Sequence, residues 1–560
     1  MVFRTYIICM LAPMFGCLGM LAPAQAQQGG EQRMFIREFR VLGAKDMPKI
    51  DVESAVYPFL GPGRTFDDVE GAREALEKAY RAAGFSVAQV IIPEQSGARG
   101  IISLQVLPGK VGELAVKGAK YFLPSNVRKQ AQSLAEGKVI NFNDVTRDII
   151  GLNKLSERRV QPKIEAGYEP GLWNVDLIVE DKSPLHGSIE LNNRNSANTT
   201  DLRLNTSLSY SNLWQKGHSL GLSYQTSPQD TAEVKVLSGY YIARFVGMDD
   251  FSLMLTATKQ DSNVSTLGGV AVAGKGNLFG IKGIFTLPTQ EGFFQSLSVG
   301  LDYKAFDQAV RVGLTTDLTP TYYYPLSATW DGTWLHSREV AAPTERDPDA
   351  KKKEDVGETT VTAGLTFGLR GSGSNATGLD KNRFGADSNY IYLRGDISHL
   401  RKLRRDWELF VKVQGQAADQ PLVNSEQFGG GGMGTVRGYL EAEALGDNAI
   451  LGTIELRTPS LLKMKRTVKK KNDEGVEQEI DESTGNEWRF YGFADGGSLT
   501  LHDTPPEQNS SFRLASVGFG TELQYREHYH GILELALPLT SQSTTKAHEP
   551  RVSFRVWADF

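Results

Sequence analysis

The sequence predicts two small α+β modules followed by a sixteen-stranded antiparallel β-barrel that crosses a membrane. Three observations predict it. A βααββ unit of about 75 residues occurs twice in succession between Met34 and Val179. From Leu185 to Phe560, segments of roughly ten residues alternate apolar and polar side chains and are broken by turn residues, the pattern of strands with one face in lipid. Beyond residue 26 no run of about 18 apolar residues occurs. Any insertion must then be as a closed barrel, because lipid offers no partner for an open backbone.

The N-terminus reads as a secretory signal. Arg4 supplies the positive start, an apolar run extends from Tyr6 to about Ala22, and Ala24, Gln25 and Ala26 form a small-residue cleavage site. Residues 1–26 are thus expected to be removed, leaving Gln27 first. Both cysteines, Cys9 and Cys17, fall inside this segment. The exported chain then has no thiol or disulfide chemistry. The 61 basic residues are balanced by 66 acidic ones. That argues against nucleic acid as a partner, since such surfaces are strongly basic.

The first module, 34–109, opens with an alternating strand from Phe35 to Val41 that ends at Gly43. A short helix is expected over Val52 to Leu60. Thr65 caps a longer one from Phe66 to about Ala83, with Val69, Ala72, Leu76 and Tyr80 at helical spacing and Asp67 and Asp68 in the first turn. Gly84 stops it. Strands over Ser86–Ile92 and Gly100–Leu107 complete the unit. The second module, 110–183, repeats the order. It has a strand over Val111–Val116, a helix over Pro124–Leu134, a helix opened by Asn141 or Asn143 and running to about Asn153, and strands near Val160–Ala166 and Trp173–Val179.

The barrel occupies 185–560. About sixteen strand segments can be counted, an even number as bacterial barrels require. Strand parity from an N-terminal start on the module side places the segment between strands eleven and twelve, 419–447, on the far side as the sixth and longest loop there. It holds six glycines and one arginine between Phe428 and Tyr439. Glycine weakens a strand and loses more entropy on ordering, so the loop is expected to fold back tightly against something. Two charged insertions, 337–358 and 463–487, fall on the module side and are expected to be solvated, partly disordered excursions. In the last strand Val552, Phe554, Val556, Ala558 and Phe560 share one face, and Ser553, Arg555, Trp557 and Asp559 the other.

No catalytic constellation is present. No Gly-x-Ser-x-Gly turn leads from a strand into a helix, and the eight histidines are scattered, His528 and His530 lacking further ligands. The glycines around Gly432 and Gly434 do not link a strand to a helix, so they are not a dinucleotide site. No metal or other cofactor is expected. Two distant motifs stand out instead: Val436, Arg437, Gly438 and Tyr439 in the sixth loop, and Phe493, Asp495 and Gly497 on strand thirteen. An arginine held inside a barrel is partly desolvated and needs an acceptor. Asp495 is the candidate, with Glu455 open as an alternative.

Several of these stretches resemble known families. Phe39 to Gly43, Tyr80 to Phe85 and Leu104 to Lys110 resemble the POTRA domain, a periplasmic chain-binding module. The resemblance implies a groove beside the second helix and an edge strand that takes an extended client by β-augmentation, with Tyr80, Val87, Val90 and Ile92 as candidate groove residues. The pair Val436–Tyr439 and Phe493–Gly497 is similar to the hallmark of the BamA-type superfamily. Two POTRA-like domains and sixteen strands within it resemble the outer-membrane transporters of two-partner secretion (TpsB, of ShlB/FhaC/HecB type). Phe554, Val556 and Phe560 resemble the signal read by the barrel assembly machinery.

The resemblance implies a non-enzymatic outer-membrane pore with its POTRA-like domains in the periplasm. It would pass an unfolded, TpsA-like partner exoprotein to the surface without nucleotide hydrolysis. Outer-membrane lipid and, during biogenesis, the assembly machinery would be its other partners, and it would act as a monomer. An outer-membrane assembly or insertion factor of the same superfamily is the alternative, although such factors more often differ in POTRA number. A passive solute channel would not need two client-binding domains. Only about seven residues, Gln27 to Arg33, precede the first module. That leaves no room for the plug helix many family members carry, so gating is expected to rest more on the sixth loop.

Overall fold

The computed structural model describes residues 33–560 apart from 97, 198, 246, 249, 266–271, 313–314, 342–350, 375–378, 381, 463–464, 472–476, 484 and 507. The signal-peptide segment 1–26 lies outside the described residues. The chain divides into two compact units. One holds the chain up to Ala115 with Ala131–Ile150 and Pro162–Leu177; the other holds Val116–Gln130, Gly151–Gln161 and Ile178–Phe560.

The first module comprises β1 (Met34–Ile36), β2 (Glu38–Leu42), α1 (Lys49–Val56), β3 (Gly61–Arg64), α2 (Phe66–Ala82), β4 (Gln89–Ile91) and β5 (Ile101–Leu107). β2 and β5 run parallel, and β4 is an edge of the sheet β2-β5-β4. The start of α2 is fixed locally: the Thr65 N–H donates to Asp68 Oδ2 at 2.8 Å. Gly84, at φ +96°, lets the chain turn away after the helix. Ala72, Leu76 and Tyr80 of α2 pack with Val90, Leu104 and Val106 in one core.

That core corrects the groove reading. Tyr80 is fully buried and Val90 is 3 % exposed, so neither can touch a client. The spacing that puts Val69, Ala72 and Leu76 against the sheet carries Tyr80 there too. Alternation along β4 turns Val90 inward and Ile91 outward, 41 % exposed. Ile92 packs on the same core, and Val87 is half-buried. The strand is also shorter than the expected Ser86–Ile92.

The second module has β6 (Lys110–Lys117), α3 (Pro124–Gln130), α4 (Phe142–Leu152), β7 (Arg158–Ala166) and β8 (Leu172–Asp181), with sheet order β6-β8-β7. Asn141 opens α4, its Oδ1 accepting from the Asn143 N–H at 2.9 Å.

The barrel begins with β9 (Leu185–Asn192), β10 (Arg203–Leu213), β11 (His218–Thr226), β12 (Lys235–Arg244), β13 (Phe251–Ser265) and β14 (Val272–Thr286). It continues through β15 (Phe293–Val312), β16 (Thr315–Ala341), β17 (Lys351–Gly373), β18 (Ile391–Lys402) and β19 (Glu408–Ala418). A small hairpin, β20 (Phe428–Gly430) with β21 (Ala444–Gly446), lies between β19 and β22 (Asn448–Arg457). A second hairpin, β23 (Lys465–Lys471) with β24 (Glu477–Ser483), precedes β25 (Glu487–Thr500), β26 (Ser511–Tyr525), β27 (Tyr529–Pro538) and β28 (Arg551–Asp559).

Sixteen of these strands close into an antiparallel barrel, each beside its chain neighbour, with β28 returning to β9 in the register Arg555↔Asn192. Leu222, Leu237, Phe279, Ile397, Ile450, Phe519 and Val552 are exposed on the outer face, where lipid rather than water receives them. In β28 Val552 and Val556 are exposed, as is Phe560 just after it, whereas Ser553 is buried and Arg555 pairs with Glu190 at 2.8 Å.

The charged insertions keep exposed side chains at 337–339 and 353–355, as expected of solvated segments, but their described backbone is paired strand. Residues 337–341 and 351–358 continue β16 and β17, and the segment after β22 forms its own hairpin. Opposite charge across the strands is the physical reason. In the first insertion the register sets Glu339 against Lys353, and Arg338 pairs with Glu354 at 3.2 Å. The parts 342–350, 463–464, 472–476 and 484 lie outside the described residues.

Candidate functional site

The site is the lumen wall where loop 6, the segment 419–447, meets strands β22, β25, β26 and β27. The loop leaves and re-enters the wall through the β20–β21 pair. Its tip carries Arg437, which is 6 % exposed. Strand alternation aims Glu455 of β22, Asp495 of β25 and Glu534 of β27 inward, and all three are buried. Gln414 of β19 also reaches the tip, its Nε2 donating to the Gly434 carbonyl at 3.1 Å.

Arg437 uses nearly its whole hydrogen-bonding fork. Its Nε donates to Asp495 Oδ2 at 2.7 Å and its Nη2 to Asp495 Oδ1 at 2.8 Å, a bidentate pair. The Arg437 backbone N–H adds a third bond to Asp495 Oδ2 at 3.0 Å. Nη1 bridges Glu455 Oε2 at 2.9 Å and Glu534 Oε1 at 3.1 Å. The guanidinium carbon lies 3.4 Å from the centroid of the Phe493 ring, a cation–π contact out of water. One guanidinium thus faces three carboxylates. Arg457 offsets part of that excess by donating to Glu455 Oε1 at 2.6 Å, and the Tyr491 hydroxyl donates to Glu534 Oε1 at 2.8 Å.

The neighbours of Arg437 lock the tip by packing and shape. Val436 and Tyr439 are buried with Ala444, Leu451, Leu499 and Leu514. The Tyr439 hydroxyl lies 2.9 Å from the Ala515 carbonyl and 2.8 Å from the Thr540 carbonyl. Gly438 adopts φ +90°, and a Cβ there would stand 3.2 Å from Ala536 Cβ and 3.3 Å from Pro538 Cδ. Gly438→Ala is therefore expected to cost about 1–2 kcal/mol of tip anchoring. Hydrogen exchange of amides 435–441 should rise about tenfold; unchanged exchange would count against the tight turn. Gly497 lets β25 approach β22: a Cβ there would stand 2.1 Å from the Ile450 carbonyl.

The structure brings the two sequence motifs together and resolves the open acceptor. Asp495 is the bidentate partner, and Glu455 binds as well. Glu534 was not anticipated, although a lone acid between Leu533 and Leu535 on an alternating strand has to face the lumen. Three further anchors also escaped the sequence. Glu441 takes Arg194 Nε at 2.8 Å. Glu443 Oε1 accepts the Thr544 and Thr545 N–H groups at 3.1 and 2.6 Å. Glu426 meets Lys304, Tyr323 and Tyr392. Their partners lie far away in sequence and carry no local pattern.

Comparison with known proteins gives two family matches. Residues 34–109 match the ShlB-type POTRA domain, and residues 351–523 match the haemolysin secretion/activation protein family ShlB/FhaC/HecB. The outer membrane transporter CdiB of Escherichia coli O6:K15:H31 is 26 % identical over 172 residues, 31 % of this chain and 29 % of that protein. The aligned stretch therefore spans less than a third of that relative. The heme/hemopexin transporter protein HuxB of Haemophilus influenzae is 21 % identical over 447 residues, 78 % of this chain and 74 % of that protein. Among solved structures, CdiB from Escherichia coli superposes with a TM-score of 0.61 at 17 % identity, covering 96 % of this chain and 93 % of that one. BamA from Haemophilus ducreyi lacking POTRA domains 1–3 gives 0.53 at 14 % identity, covering 94 % and 100 %. These likenesses support the fold: a closed sixteen-stranded barrel with an N-terminal POTRA region.

Proposed function

We propose that this member of the ShlB/FhaC/HecB family passes an unfolded partner exoprotein from the periplasm to the cell surface. The chain is an outer-membrane β-barrel with its POTRA region in the periplasm. The observation that carries the reading is the loop 6 tip, held in the lumen by one guanidinium on three wall carboxylates. If the tip is to move aside for a passing chain, an anchor centred on one side chain can be released as a unit. The periplasmic module offers a place for capture. β4 is a sheet edge with Ile91 turned outward beside α2, and an extended client can add to such an edge as a further strand. The direction of transport comes from the client, whose folding outside makes return unfavourable, without nucleotide hydrolysis.

The alternative role is insertion of other barrels, and one experiment separates the two. Deleting this chain is expected to abolish surface appearance of a large exoprotein encoded beside it, while other outer-membrane barrels keep their normal abundance. A general fall in those barrels, with the exoprotein still delivered by what remains, would transfer the chain to the assembly class.

A further inference from the structure

Loop 6 is held at its base as well as at its tip, by a different kind of contact. Leu422 and Val423 are buried in an apolar cluster with Phe306, Tyr323, Tyr390 and Tyr392. Glu426, 1 % exposed, accepts from Lys304 Nζ of β15 at 2.5 Å, the Tyr323 hydroxyl of β16 at 2.7 Å and the Tyr392 hydroxyl of β18 at 2.7 Å. Its carbonyl accepts from Arg394 Nη2 at 2.8 Å and Gln416 Nε2 at 3.2 Å. On the return side Asp447, fully buried, accepts from the Leu422 N–H at 3.0 Å, Gln427 Nε2 at 2.9 Å and the His502 N–H at 2.8 Å. The β20–β21 pairing joins the two sides.

Between base and tip the backbone reverses at both ends through left-handed positions. Gly431 and Gly432 lie at φ +107° and +95° on the way in, and Ala442 at φ +51° on the way out. Two such points close together in space, flanking a rigid ladder, are where φ and ψ can change without breaking the base. The tip beyond them is held by contacts that converge on Arg437 and by the Arg194–Glu441 pair.

We propose that Glu426 and Asp447 are positioning residues that keep the base of loop 6 on the wall, so that only residues 432–442 swing when the pore opens, hinged at Gly431/Gly432 and at Ala442. This rests on the reading of loop 6 as the gate and specifies which part of it moves. The base remains as a fixed shoulder, bonded to β15, β16 and β18. It returns Arg437 to its three carboxylates after each opening.

Disulfide pins test it, because both native cysteines precede residue 27. The tip pin is Asn195→Cys with Glu441→Cys, whose backbones are joined by the Glu441 N–H to Asn195 carbonyl bond of 2.9 Å. The base pin is Gly430→Cys with Leu499→Cys, where a Cβ on 430 would stand 2.7 Å from Leu499 Cδ1, a methyl that the second substitution removes. Purified full-length protein in a planar bilayer is compared oxidised and reduced, each variant serving as its own control for folding. Oxidation of the tip pin is expected to lower the open probability about tenfold or more, and oxidation of the base pin to leave it within about twofold. Openings that survive an oxidised tip pin overturn the proposed swing. Openings lost with an oxidised base pin overturn the fixed base. A reduced tip variant that never conducts counts against the gate reading itself. Failure of exoprotein delivery with intact, pin-sensitive conductance counts against the transport reading alone.

Discussion

Replacing Arg437 by alanine is expected to unfasten the tip of loop 6 and to reduce surface delivery of the partner exoprotein by at least tenfold at equal barrel abundance. The loss goes beyond the removed bonds. Asp495, Glu455 and Glu534 are all buried, and without the guanidinium they face one another as unpaired like charges. Breaking a buried ion pair from one side costs about 3–5 kcal/mol. Amides 434–441 should then exchange about a hundredfold faster or more. Arg437→Lys restores a positive charge, but an ammonium cannot make the bidentate contact to Asp495 and also reach Glu455 and Glu534. It is expected to recover part of the protection and little of the delivery. Arg437→Ala with unchanged exchange at the tip would sink the anchoring role. Faster exchange with normal delivery would keep the anchor and sink its part in transport.

Glu426→Ala is the second large effect, and it should appear at the other end of the loop. The substitution leaves Lys304, 17 % exposed, and the Tyr323 and Tyr392 hydroxyls without their shared acceptor. Removing one member of such a network costs about 2 kcal/mol, so amides 422–430 should exchange about thirtyfold faster. The tip amides 434–441 should change much less, because their anchors lie on β22, β25, β26 and β27 and at Arg194, away from β15, β16 and β18. Glu426→Gln keeps two acceptor lone pairs and loses the charge, and is expected to fall between. Burial pushes the Glu426 carboxyl up, but the Lys304 ammonium and the two tyrosine hydroxyls outweigh it and hold it below the usual carboxylate range. The base is therefore expected to keep its full stability at neutral pH. It weakens only as pH falls through that depressed value. An alanine variant that loosens tip and base equally would show that the loop responds as one body.

The architecture was legible because a barrel writes its period into every strand. The outward run Val552, Val556 and Phe560 and the inward Ser553 and Arg555 follow from alternation alone. Sixteen such segments reinforce one another where each is weak. The α2 cap at Thr65 and the stop at Gly84 are equally local. Groove residues Tyr80 and Val90 failed for a physical reason also present in the pattern: positions that share a face with Leu76 and Val106 belong to the core. The strands within the charged insertions were missed because composition argues for disorder as well as solvation, whereas the pairing of Arg338 with Glu354 appears only once a strand register exists.

By itself, then, the sequence determined the order of the modules, the number of strands, the position of loop 6 and the residue, Arg437, that had to find an acceptor. Period and local turn chemistry suffice for those. Only the tertiary structure decided that three carboxylates share that arginine, that Glu426 bolts the base of the loop to β15, β16 and β18, and that the tip lies between left-handed backbone positions. Closing a barrel brings together residues over a hundred positions apart, such as Lys304 and Glu426, and no periodicity along the chain records which inward side chains will meet across its lumen.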